Sequence, residues 1–144
     1  MRGVTADRGS TLLLFPVGIL IVMVLSAIAV DLSMVHSGQR DLARVVHAAA
    51  NDAASDLDVA ELRRSGEITI DLVAARRTVS DRLRTASIAV DDIRSVRVEA
   101  GPRPRSLRVR VDASVRHLFG RAVPGVADAE LVHVDVVAEL GIAP

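Results

Sequence analysis

The chain has 144 residues, with 18 basic and 18 acidic side chains and no net charge, so bulk attraction to nucleic acid or to an acidic surface is excluded. It has no cysteine, which excludes disulfides and thiolate metal sites, and no Trp or Tyr, so bases and sugars have almost nothing to stack on. Every Lys-or-Arg position is Arg, which reads as a GC-rich bacterial genome and not as chemistry.

Residues 11–30 (TLLLFPVGILIVMVLSAIAV) carry no charge. A helix crosses a bilayer in roughly 20 residues at about 1.5 Å each, so this run is long enough. Thirteen of its residues are Leu, Ile, Phe or Val, together worth about 4 to 8 kcal/mol of insertion. Arg2 and Arg8 precede it, and Arg40 and Arg44 lie far beyond it. The positive-inside rule then puts residues 1–10 in the cytoplasm and the rest of the chain outside. A secreted alternative stands beside this. Ala27-Ile28-Ala29 suits a signal peptidase, and a cut after Ala29 would release a small soluble binding module.

Beyond Val30 the apolar positions recur at three and four residues. Leu32, Val35, Leu42, Val46, Ala49, Ala53 and Leu57 form one face, with Gln39 its polar break. Asp41, Arg44, Asn51, Asp52, Asp58 and Glu61 take the other face. No proline intervenes, and Gly38 is the one weak point. The expectation is a single rod: a membrane helix over 11–30 that continues outside over 31–66 and stops at Arg63-Arg64-Ser65-Gly66. The alanines around 48–54 either let a neighbour come close or serve only as good helix formers.

Residues 67–144 read as a small α+β head. Ile68 to Ile70 is an extended link. Asp71 is an N-cap, and Leu72, Ala75, Val79, Leu83 and Ala86 mark a second amphipathic helix ending near 85–87. Three period-two stretches follow, around Val96–Ala100, Leu107–Arg116 and Val132–Leu140. Gly101-Pro102-Arg103-Pro104 turns the first into the second, and a loop over 119–128 joins the second to the third. A polar and an apolar face suit an antiparallel sheet covered by helices, so the fold class is α+β.

No catalytic, cofactor or metal site emerges. His36 and His47 lie about 16 Å apart along one helix, too far for one ion. His117 and His133 fall on different strands. Asn51, Asp52, Asp56 and Asp58 lack the spacing of a calcium loop and read as a solvated helix face. Arg108, Arg110 and Arg116 read as the wet face of a sheet. No phosphate loop, nucleophile elbow or HExxH pattern occurs, so an enzyme is not expected.

Arg8-Gly9-Ser10 directly before the apolar run, Ala29-Val30-Asp31-Leu32 at its end, Asp41-Leu42, and the tract from Ala48 to Ala54 resemble the N-terminal region of TadE/TadG-like proteins. These are pseudopilin-type components of the tight-adherence (Flp-type) pilus system, and the resemblance covers roughly residues 8 to 60. It implies a single-pass protein of the cell membrane with its small domain outside. The partners it implies are other pilus-assembly subunits, inner-membrane platform proteins and membrane lipid, with no cofactor and no nucleic acid. It also implies prepilin-peptidase cleavage between Gly9 and Ser10. TadE-like chains carry a glutamate five residues after that cut, where this chain has Leu14. The departure points to an accessory, minor component and away from a fibre-forming subunit.

Overall fold

A computed structural model of the protein describes residues 8–119 and 127–141. Helix α1 spans Arg8–Ala53, 46 residues in one element. At 1.5 Å per residue it is about 69 Å long. Pro16 lies inside it without ending it. The hydrogen bond that Pro16 cannot make falls near the N-terminal end of the helix.

The rod is shorter than its periodicity predicts. It ends at Ala53 and not at Arg64, and a separate helix α2 follows at Val59–Ser65. The amides of Ser55 and Asp56 tighten the last turn onto the carbonyls of Asp52 and Ala53, at 3.1 and 3.2 Å. The chain then turns extended and pairs with residues 69–71. Leu57 bridges Ile70, the Asp58 amide donates to the Thr69 carbonyl (3.0 Å), and the Asp71 amide donates to the Asp56 carbonyl (2.8 Å). Ser55, Asp56 and Asp58 are short polar side chains that compete with helical hydrogen bonding, so a break here is chemically reasonable. Asp58 caps α2, its Oδ1 accepting the Glu61 amide at 2.9 Å. Gly66 closes α2 at φ 74, a left-handed conformation that glycine adopts without penalty.

Helix α3 spans Leu72–Thr85, and Asp71 caps it through the amides of Val73 and Ala74. Strands β1 (Asp92–Ala100), β2 (Ser106–Arg116) and β3 (Ala129–Glu139) form one antiparallel sheet in the order β1-β2-β3. The β1–β2 ladder slips between Ile93 and Ser95, whereas β2 and β3 stay in register over their full length. The fold is α+β, with a long apolar N-terminal helix and a three-stranded antiparallel sheet, as the sequence predicts. The loop expected over 119–128 lies mostly outside the described residues.

Helices α1 and α3 cover one face of the sheet. The core joins Leu42, Val46, Ala49, Ala50 and Ala53 of α1 to Ala75, Val79 and Leu83 of α3. From the sheet come Val98, the β2 row Leu107, Val109, Val111, Ala113 and Val115, and the β3 row Val132, Val134, Val136 and Ala138. Ala49, Ala50, Ala53 and Ala54 are all buried, which places the alanine tract where two helices and a sheet meet closely. The other sheet face is polar.

Candidate functional site: the root of the long helix

The apolar run contributes nothing to that core. Residues 14–30 are exposed on nearly every side, Phe15 by 74% and Leu20 by 61%. Among the described residues this is the one helix long and apolar enough to cross a membrane. Farther along the same helix the stripe divides. Leu42, Val46, Ala49 and Ala53 are buried in the head and Val35 is half-buried, while Leu32 is 65% exposed; Leu57, expected on the same stripe, lies beyond the end of α1 and is exposed. Helix α1 is therefore both the free apolar rod and the central element of the head. Gly9 and Ser10 lie in its first turn.

Two contacts fix the head to the root of the rod. Asp31, the first charged residue after the run, is only 8% exposed. It accepts the backbone amides of Leu118 (2.8 Å) and Phe119 (3.2 Å to each oxygen), just past the end of β2. Sequence reading quoted Asp31 only as part of a motif; its position at the end of an uncharged run was the available signal. Two turns on, Gly38 packs under the link between α3 and β1. A Cβ at Gly38 would stand 2.6 Å from the Ala89 carbonyl oxygen and 2.9 Å from a Val115 methyl. The sequence marks Gly38 as a place to bend, but its use here is close approach. An open cleft of about 570 Å³ lies beside it, walled by Met34, Val90, Val115, Arg116 and Leu118.

The polar groups singled out in the sequence serve structure. Asp52 pairs with Arg82 on α3 at 2.7 Å, Asp56 accepts the Thr78 hydroxyl at 2.7 Å, and Asp58 caps α2. The acidic cluster is thus not one solvated face but three separate braces. Arg108 and Arg110 each reach Asp135 at 3.2 Å, Arg110 also faces Glu99, and Arg116 faces Asp91 at 3.7 Å. The arginine stripe is answered by carboxylates along its length. His36 and His47 are exposed and apart, while His133 Nδ1 lies 2.6 Å from Asp112. Hydrogen bonds from Ser95 and His133 hold the Asp112 carboxyl below its usual pKa. Among the described residues no group of three or more His, Asp and Glu is placed to hold a metal ion.

Residues 9–56 match the family model described as putative Flp pilus-assembly TadE/G-like. This TadE/G-like match spans the apolar run and all of α1 that packs in the head, and it stops before α2. It covers the stretch on which the sequence resemblance rests, and it supports a role in Tad pilus assembly. No curated protein and no solved structure matches the chain.

Proposed function

We propose that the protein is a membrane-anchored, pilin-like accessory component of a Tad/Flp-type pilus assembly or secretion apparatus. It acts by helix packing and protein contacts and not by catalysis. In this reading residues 11–30 span the cytoplasmic membrane, residues 1–10 face the cytoplasm, and the head stands outside. The observation that carries it is the exposed apolar run built into the same helix as the head's core. In water such a surface is unfavourable; in a bilayer its thirteen large apolar side chains favour insertion by about 4 to 8 kcal/mol. The partners are other pilus subunits, inner-membrane platform proteins and lipid. The exposed face through Leu14, Phe15, Gly18 and Met23 is the part of the rod offered to partner helices.

The accessory assignment rests on Leu14. A carboxylate at that depth costs several kcal/mol unless paired with a neighbour's amine, and such a pair would register one subunit on the next. Leu14 removes that device. Processing between Gly9 and Ser10 remains part of the proposal, since both lie at the start of α1.

The test is deletion and complementation, with the mass of the mature protein read in parallel. Loss of pilus output on deletion, with a mature chain starting at Met1 or Ser10, is the expected result. A mature chain starting at Val30 would transfer the protein to the secreted alternative. Unchanged pilus output in the deletion would remove the assembly role.

A further inference from the structure

Leu118 and Phe119 follow the end of β2, and both are largely solvent-exposed, at 59% and 49%. Two adjacent large apolar side chains in an irregular segment bury no core and leave apolar surface facing outward. Their backbone position is nevertheless fixed. Both amides are held by Asp31, one residue beyond the uncharged run that ends at Val30. Asp31 itself is nearly buried, so this is a built joint. Hydrogen bonds to a carboxylate are the strong kind, and two amides on one carboxylate fix both height and direction. If residues 11–30 span the bilayer, Asp31 stands at the headgroup level. Leu118 and Phe119 then stand there with it, beside the exposed Leu32 and the Met34 wall of the cleft.

We propose that Leu118 and Phe119 form a second, interfacial contact with the bilayer, held at headgroup depth by the Asp31 carboxylate. Aromatic and large aliphatic side chains partition to that zone, where apolar surface leaves water without entering the hydrocarbon centre. The occupant of this patch is lipid, argued from its continuity with the span. The consequence is mechanical. A single helix leaves the head free to turn about the rod axis and to tilt. A second point of attachment fixes which side of the sheet faces partner subunits.

This inference rests on the membrane-spanning reading above, and the test separates the two. The chain has no Trp or Tyr, so one introduced indole reports alone. Three full-length variants, Leu20→Trp, Phe119→Trp and Val137→Trp, are reconstituted in phosphatidylcholine–phosphatidylglycerol vesicles. The lipids are either unlabelled or brominated, at the chain centre or near the carbonyl end. Val137 is an exposed position opposite Arg108, toward the far end of the sheet. The expectation is that Leu20→Trp is quenched by chain-centre bromine. Phe119→Trp should be quenched by bromine near the carbonyls, severalfold more than Val137→Trp, with emission shifted to the blue. Quenching of Leu20→Trp with none of Phe119→Trp overturns the interfacial contact and leaves the span intact. Quenching of neither removes the spanning reading and this inference with it. Adding Asp31→Ala to Phe119→Trp should lower its quenching toward that of Val137→Trp without changing Leu20→Trp. Unchanged quenching at Phe119→Trp would overturn the role of Asp31 in setting the depth.

Discussion

Gly38 and Gly18 sit on the same helix and make opposite demands. At Gly38 an added methyl would press on a backbone oxygen of the α3–β1 link, which has no rotamer with which to yield. Gly38→Ala should therefore cost about 1 to 3 kcal/mol despite alanine's better helix propensity. At Gly18 a methyl meets nothing within 4 Å, so Gly18→Ala should leave the stability of the head unchanged. Denaturant melts of the two variants in detergent check this contrast. Asp112 gives a pH signature on the far face of the sheet. Its carboxyl is held below the usual value near 3.8, first by Ser95 and then by His133. A depressed folded-state pKa contributes stability that is complete above the ordinary value and is lost as pH falls through the folded one. The stability gap between the parent and Asp112→Asn should thus shrink between about pH 5 and about pH 2 and stay flat above that range. A gap that widens toward acid would refute the assignment.

At the scale of elements, the break in the rod is the chief departure from the sequence reading. The three-and-four spacing runs through Ala53, Leu57 and Ala60 without interruption, and spacing alone cannot distinguish one helix from two that share a face. The cue was present: Asp58-Val59-Ala60-Glu61 is an N-terminal capping pattern inside a helical period. What the spacing could not supply is the pairing of residues 56–58 with 69–71, a tertiary contact that draws the chain out of the helix. Asp58→Ala should cost about 1 kcal/mol, read as a lower melting temperature with α1 retained by circular dichroism. The strands were the most legible part, because β2 and β3 alternate between a buried apolar face and a mostly polar one, broken in β3 by the exposed Leu131 and Val137. β1 was less so: as an edge strand it buries only Val98, while Val96 and Ala100 are exposed. In the α1 stripe, periodicity identified the buried face at Leu42, Val46, Ala49 and Ala53. It could not tell that Leu32 lies beyond the head's cover. Ala49 is fully buried where α1 meets α3 and the sheet. Ala49→Arg should destabilise the head by about 4 kcal/mol or more, because it puts a charge on the buried face of α1. Protease resistance of the purified variant is the direct readout, and parent-like resistance would refute the packing.

For the whole molecule, one helix does two kinds of work along about 69 Å. Its first half displays apolar surface that only lipid or other helices can cover. Its second half is the spine of a head whose sheet arginines Arg108, Arg110 and Arg116 face carboxylates. The contacts at Asp31 and Gly38 tie the head to the same continuous helix, with no linker between the two halves. Asp31 and the cleft beside it were not legible as a joint, since the partners of Asp31 lie 87 and 88 residues away in sequence.

The central claim is that the apolar run is embedded, with the head on the opposite side of the membrane from the N-terminus. The chain has no native cysteine, so Ser10→Cys and Ser55→Cys each introduce a single label site. Both are treated with a membrane-impermeant maleimide in cells whose cytoplasmic membrane is sealed. The account predicts that Ser55→Cys labels at once and that Ser10→Cys, retained whether or not the chain is cut after Gly9, labels only after the membrane is opened, with the chain recovered in the membrane fraction. Ser55→Cys protected until lysis, or the intact chain recovered from cytosol without detergent, would contradict it.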